Sequence, residues 1–326
     1  MLSKQRAAGS FLAAILLIIS NARTVRADHG PGTSGGGLGT VSGETMPEGK
    51  FAIELRCDET EFQRLSRAQL ERRIFDAAPG GFDTLDRSVL TTLSLSYAVL
   101  DDLSVSLSLG YYLAVGGHTG SFDPTTGETI ARVAPDGLTD LWINAKFRFY
   151  HGPVGSLAVY AGVKLPTGRW DVKDSTGDQV DPSATSGSGS FDGMLGFAFS
   201  RYLTKRLAMD ASAAYTFRTE HEHFKVGDRI DLGYALSCRI NESALDFPVF
   251  AIFGETNFRY IFKSSDHGDL DPNTGGTALF VALGGRCAFA DFIAVSLAAQ
   301  VPVFQEPNGE QLETLVKFSA AVTASF

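Results

Sequence analysis

From residue 50 to the end of the chain, apolar side chains return at every second position in one segment after another, and this alternation narrows the possible folds more than any other feature. In LSVSLSLGYYL (103–113), Leu103, Val105, Leu107, Leu109 and Tyr111 share one face, and Ser104, Ser106, Ser108 and Gly110 share the other. In LTDLWINAKFRF (138–149), Leu141, Ile143, Ala145, Phe147 and Phe149 oppose Asp140, Trp142, Asn144, Lys146 and Arg148. A period of two is that of a strand with unlike faces. Sandwiches and soluble barrels alternate as well, but they bury the apolar face and turn the polar one to water.

Strand number and loop length separate these cases. The chain reads as about 12 strands, near 50–59, 87–99, 102–115, 137–150, 155–167, 189–202, 206–219, 224–239, 247–262, 276–289, 291–304 and 311–326. Bacterial outer-membrane barrels have an even count, and each span meets the roughly 9–11 residues of a tilted membrane strand. Short links (LDD, HGPVG, LTKR, NESALD, AD) follow the even strands. Long polar segments follow strands one, three, five and nine, whereas the loops after strands seven and eleven are short. Tight periplasmic turns and long outer loops are the pattern of these barrels. The reading is an all-β, transmembrane, antiparallel up-and-down β-barrel of the bacterial outer-membrane type over 50–326.

The two ends of the chain agree with export. Lys4 and Arg6 precede an apolar run from Phe11 to Ile19, with small residues towards Ala27, as in a secretory signal peptide. Cleavage is expected after Ala27, with Ala22 as second choice. Loss of residues 1–27 removes four basic residues and no acid, taking the formal charge from −9 to −13. So acidic an exported chain is not a nucleic-acid partner. No later apolar run approaches the roughly 20 residues of a spanning helix. The final strand places Phe318, Ala320, Val322, Ala324 and Phe326 on one face. Residues 318–326 thus resemble the aromatic-ended strand read by the barrel-assembly machinery. Cys57, Cys238 and Cys287 are too scattered for a disulfide framework or a metal knuckle and read as small apolar residues.

If the apolar set faces lipid, the alternate set lines a polar lumen carrying both signs of charge. The expected lining includes Asp140, Trp142, Asn144, Lys146, Arg148, Lys164, Arg218, Arg229, Asp231, Glu255, Arg259 and Arg286. Arg148, Arg229, Arg259 and Arg286 are the leading candidates for fixed selectivity charges, although charges in such a wall equally well pair across strands. Trp142 and Tyr112 point inward and offer a stacking surface. Aromatics near strand ends, such as Tyr111, Phe149, Tyr202 and Phe217, fit the interfacial girdles. The partners of such a protein are outer-membrane lipid, lipopolysaccharide and a small-molecule solute. Residues 28–49 are too glycine-rich to hold a core and either hang in the periplasm or plug the lumen. LSRAQLERRIF (65–75) suggests an amphipathic helix at the rim.

Signs of other chemistry are thin. GTSGG (32–36) matches a serine-hydrolase pattern without the strand-turn-helix that the nucleophile elbow requires. HEH (221–223) has two imidazoles but no third ligand nearby, and DHGDLDPN (266–273) lacks the glycine and final Glu of an EF-hand. No cofactor is indicated, and the chain does not read as an enzyme. A lipid hydrolase built on rim histidines His118, His221, His223 and His267 is the least favoured reading.

Two stretches, GLTDLWINAKFRFY (137–150) and LAVYAGVKLPTGRWD (157–171), resemble paired strands of outer-membrane transporters in the MetA-pathway of phenol degradation family. There a G-x-x-D-x-x-x-x-x-K strand precedes one running into K-L-P-T-G. The matching residues are Gly137, Asp140, Lys146, Lys164, Leu165, Pro166, Thr167 and Gly168. The resemblance implies a signal peptide, barrel strands throughout, and movement of small, often aromatic or hydrophobic, compounds across the outer membrane. Pro166 and Gly168 suit the end of a strand at the outer rim, so the motif is as readily architectural as functional. The leading expectation is a passive channel with a polar lumen. The alternative is a structural or adhesive barrel with a closed lumen and binding loops.

Overall fold

In the computed structural model, the described residues are 37–76, 81–123, 127–180, 182–243 and 247–326. The expected signal peptide, 1–27, and the GTSGG stretch lie outside them.

Twelve long antiparallel strands form one closed sheet: β1 (Phe51–Phe62), β2 (Arg87–Leu100), β3 (Leu103–Val115), β4 (Leu141–Gly152), β5 (Gly155–Leu165), β6 (Asp192–Tyr202), β7 (Leu207–Arg218), β8 (Arg229–Arg239), β9 (Val249–Ile261), β10 (Gly276–Ala290), β11 (Ile293–Pro307) and β12 (Thr314–Ser325). Each pairs with its sequence neighbours, and β1 closes the cylinder against β12, with Cys57 opposite Ala320. The last residue is part of this seam: Phe326 N donates to Phe51 O at 2.8 Å and Phe51 N to Phe326 O at 3.1 Å. Closure leaves no sheet edge and satisfies the backbone within the wall, the condition for crossing hydrocarbon with strands. Among the described residues no helix is long and apolar enough to span a membrane.

The alternation sorts the faces as the sequence implies. Leu283 is 71% exposed, and Leu297, Phe197 and Val163 also stand on the outside. Ala52, Glu54, Asp58, Ser96, Ser104, Asp210, Glu255 and Ser319 are buried inside. The three free cysteines alternate with inward Arg56, Ser237 and Arg286 and so take the outward face.

Three local departures have physical causes. The strand expected over 137–150 breaks at Thr139–Asp140: Gly137–Leu138 pairs with β3, and Thr139 ties itself to Gly110 through both backbone and hydroxyl. That frees Asp140 to turn its carboxylate inward. β8 starts at Arg229 rather than 224, because Phe224–Lys225 joins Ser265–Asp266 and Asp269–Leu270 in a rim ladder. The loop after β1 is built rather than open. Its helix α1 (Arg67–Asp76) covers a three-stranded sheet of Gly81–Thr84, His118–Asp123 and Gly127–Arg132. Leu70, Ile74 and Phe82 are buried there, with Leu65 and Ile130 against them, while Phe75 stays exposed. Each such burial contributes roughly 1.5–3 kcal/mol, which a ten-residue helix requires because short helices do not stand alone.

Candidate functional site

The lumen is unevenly filled. On β2 and β3 serines hold many of the inward positions, including Ser94, Ser96, Ser104, Ser106 and Ser108, and small hydroxyls leave space there. Charge gathers on the other side. Arg229 and Arg259 share Asp231, at 2.6 and 2.8 Å. Arg56 and Lys317 share Asp58, at 2.9 and 3.4 Å, and Arg286 donates to Ser296 at 2.9 Å. Inward rings are seated on glycines: a Cβ on Gly196 would fall 2.3 Å from the Tyr160 ring, and one on Gly284 would fall 2.2 Å from Phe253.

Residues 37–46 lie inside the barrel, and exposed Pro47–Gly49 stand at its periplasmic mouth. Met46 packs with Ala52 and Ala98 at the periplasmic end, and Thr45 and Glu48 bind Asp101 in the β2–β3 turn. Glu44 then receives Arg148 at 2.9 Å and the Ser156 hydroxyl at 2.7 Å. Arg148 also reaches Asp102 at 2.7 Å. Ser42 Oγ meets Ser200 Oγ at 2.8 Å, and Lys146 Nζ donates to Ser42 O at 3.2 Å. Higher up, Val41 N donates to Ser212, Gly39 N to the Glu255 carboxylate at 3.0 Å, and Arg56 to Leu38 O. The segment thus climbs to mid-barrel, with contacts to β1, β4, β5, β6, β7 and β9. Gly43 is required for this path, since a Cβ would come within 2.6 Å of Ser156 O and 3.0 Å of Ser200 N.

Among the described residues, two neighbouring cavities lie within the barrel. An inner one of about 640 Å³ is bordered by Leu38, Gly39 and Val41 and walled by Arg56, Lys146, Tyr160, Asp231, Glu255 and Arg259, with Ser96 and Ser104 on the serine side. An outer one of about 410 Å³ is walled by Asp140, Trp142, Lys164, Thr216 and Arg218, with Pro182 and Thr185–Ser188 from the loop after β5 folded across its mouth. Asn144, Met194 and Arg229 line both and stand between them.

That loop is held down by one buried ion cluster. Lys164 Nζ sits 3.0 Å from Asp140 and 2.6 Å from Asp192, with the three side chains 8%, 6% and 2% exposed. Ser188 and Ser190 complete the ammonium's hydrogen bonds. Asp140 accepts from the backbone N–H of Gly168 at 2.9 Å and of Ser188 at 3.0 Å, and Asp192 accepts from Ser190 at 2.9 Å. A buried cation between two buried carboxylates is tolerable only when the remaining hydrogen-bonding sites are filled in this way.

The comparisons with known proteins agree with this architecture. The family described as "Putative MetA-pathway of phenol degradation" matches residues 87–301, about two thirds of the chain. The chain belongs to that family. Its fold is similar to that of the COG4313 outer membrane channel from Pseudomonas putida F1, with a TM-score of 0.59 at 12% identity over 87% of this chain and 97% of that one. Looser likenesses are to the KdgM porin in complex with disordered oligogalacturonate (TM-score 0.43, 8% identity, 84% and 99% covered) and to the NanC porin (0.43, 11%, 84% and 98%). No curated protein matches the chain. It is an integral β-barrel of the bacterial outer membrane. The family match runs from β2 into β11 and contains the whole ion cluster. Asp140, Lys164 and Gly168, three residues of the family motif, converge in that cluster, and Thr167 accepts the Leu141 N–H at 2.9 Å. A Cβ on Gly168 would lie 2.8 Å from Asp140 N, so glycine is needed for the approach.

Of the residues expected at the lumen, Asn144 and Arg229 border both cavities. Lys146, Asp231, Glu255 and Arg259 border the inner one, and Asp140, Trp142, Lys164 and Arg218 the outer. Arg148 lies below, on the N-terminal segment, and Arg286 points inward onto Ser296. Sequence reasoning missed Glu54, Arg56 and Asp58, although their two-residue spacing on β1 was visible. It also left the partners of residues 37–49 open, since nothing local in a glycine tract names them. The rim histidines separate: His221 meets the Trp170 ring edge-on at 4.6 Å, whereas His223 stacks on His267 at 4.6 Å. Among the described residues no three His, Cys, Asp or Glu side chains gather as for a metal. A Ser–His contact does occur, His151 Nδ1 to Ser156 Oγ at 2.7 Å, but Ser156 is fully buried and lies between histidine and Glu44. A hydrolytic triad needs the histidine in the middle and the serine exposed.

Proposed function

We propose that this protein is a passive outer-membrane channel for small solutes, in which the outer and inner chambers form the route and residues 37–49 close its periplasmic end. The observation that carries this reading is the pair of neighbouring cavities that share Asn144, Met194 and Arg229 in their walls, the inner one also bordered by Leu38, Gly39 and Val41. A barrel serving only as a scaffold has no evident need for chambers of this size, and a wall of hydroxyls and paired charges suits a solute that moves by exchanging weak contacts. Family membership and the fold shared with an outer-membrane channel support the same reading. Acyl or lipid hydrolysis has no comparable support, and the protein is read as a non-enzyme.

The rival reading, a closed barrel that binds through its loops, draws on the extent to which residues 37–46 fill the lower lumen. Planar-bilayer recording separates the two. Wild-type protein should conduct weakly or intermittently, and a chain lacking residues 37–47 should conduct several-fold more at the same voltage. Equal, negligible conductance from both would sink the channel reading. We also infer that residues 318–326 are read by the assembly machinery; replacing Phe326 with Ala should lower the folded yield in cells without changing the spectrum of refolded protein.

A further inference from the structure

This inference rests on the channel reading and names the solute. We propose that the outer chamber is a binding site for a small aromatic carboxylate, with the carboxylate held by Arg218 and Thr216 and the ring against Trp142.

Arg218 is the cation that the wall leaves without a close partner: among the described residues its guanidinium has no hydrogen bond or ion pair. The acids that act on it through space are Asp192, Asp228 and Asp231, and each is engaged elsewhere. Asp192 is 2.6 Å from Lys164. Asp228 accepts the Tyr215 hydroxyl at 2.6 Å and pairs with Lys225 at 3.3 Å. Asp231 is shared by Arg229 and Arg259. Thr216, two residues earlier and therefore on the same face of β7, is 1% exposed, and its Oγ1 has no hydrogen-bond partner. A buried hydroxyl without a partner is rare in folded proteins and marks a place where a ligand or water completes the contact. A planar fork beside a hydroxyl donor suits a carboxylate, which accepts several such bonds at once.

The rest of the chamber selects what the carboxylate is attached to. Trp142, Met194 and Val226 add apolar surface to the same chamber, Met194 directly beside Thr216 on the neighbouring strand. The volume, about 410 Å³, lies in the roughly 300–1,000 Å³ range of small-molecule pockets. A purely inorganic anion would leave the indole face unused, and a neutral aromatic would leave Arg218 unmatched.

Binding can be read from Trp142 fluorescence in full-length protein carrying Trp170→Phe, titrated with sodium benzoate, benzyl alcohol and sodium acetate at fixed ionic strength. Benzoate should give a saturable change, with the other two at least about tenfold weaker, the share of one charge-assisted contact. R218Q should weaken benzoate at least about tenfold and leave benzyl alcohol unchanged, and R218K should fall between. T216V, which replaces the orphan hydroxyl with a methyl of like shape, should fold normally and weaken benzoate several-fold. Equal affinity for benzoate and benzyl alcohol overturns the proposal, as does no saturable benzoate signal or indifference of benzoate to both R218Q and T216V. Conductance of the same preparations keeps the two readings apart. Protein that conducts without binding benzoate loses the site and keeps the channel, and protein that binds benzoate but stays silent without residues 37–47 keeps the site and loses the channel.

Discussion

The outer chamber and the periplasmic end of the lumen are built from the same residue types on the same strands, yet they are completed differently. At the periplasmic end the polar groups named here find partners: Glu44 with Arg148 and Ser156, Lys146 with Ser42 O, Asp101 with Thr45 and Glu48. In the outer chamber Lys164 is enclosed by two carboxylates, while among the described residues the Arg218 guanidinium and the Thr216 hydroxyl, both in the chamber's wall, have no hydrogen-bond partner. The difference teaches how to read a polar lumen. Satisfied groups hold a segment in place, and unsatisfied ones indicate where something else is to bind.

The largest expected effect comes from breaking the outer chamber's frame. Lys164→Met leaves Asp140 and Asp192 buried without their cation, and removing one partner of a buried cluster costs about 3–5 kcal/mol. Denaturant unfolding in detergent should show that loss, with easier proteolysis of the loop after β5; an unchanged midpoint would mean that the cluster does not hold the wall. Arg148→Ala attacks the other region. Its charge-assisted bond to Glu44 is worth about 1.5–3 kcal/mol, and losing it should raise the open fraction of single channels while unfolding changes less than in Lys164→Met. Gly43→Val tests the same closure by bulk alone. Overpacking costs about 1–3 kcal/mol, most easily relieved by the segment leaving the lumen, so open probability should rise at unchanged barrel stability. The smallest effect belongs to neither region: Arg67 on α1 pairs with Glu71 at 2.8 Å, but its side chain is 85% exposed. Arg67→Ala should shift stability by no more than about 0.5 kcal/mol, and a larger shift would show that the rim helix is tied to the barrel.

The barrel was legible because its signal repeats. Leu103 to Tyr111 against Ser104 to Gly110 is a short pattern, but twelve such segments with short and long links have few folded solutions in which each polar face meets water. Lys146 and Glu255 stand on the inward parity of their strands, whereas Asp140 turns inward at the break before β4. Parity also marked Arg56 and Asp58, which lie inside the expected strand 50–59 and were nonetheless left out of the lumen lining. The rim sheet under α1 was not legible: HTGSFD and GETIAR carry too little apolar periodicity to declare strands and became strands by pairing with each other and with Gly81–Thr84. The ion cluster fell between these cases. Asp140 and Lys164 were visible as motif residues, but nothing in their spacing said that they touch or that Asp192 joins them.

The sequence by itself determined the strand period and the twelve-fold count, because these depend on local geometry and on the contrast between hydrocarbon and water. Only the tertiary structure decided which inward charges neutralise one another, that residues 37–46 run up the lower lumen, and that among the described residues the Arg218 guanidinium and the Thr216 hydroxyl have no close partner. Those outcomes depend on distances between groups far apart in the chain, and electrostatic and hydrogen-bond energies change steeply over the few ångströms that closing the barrel sets.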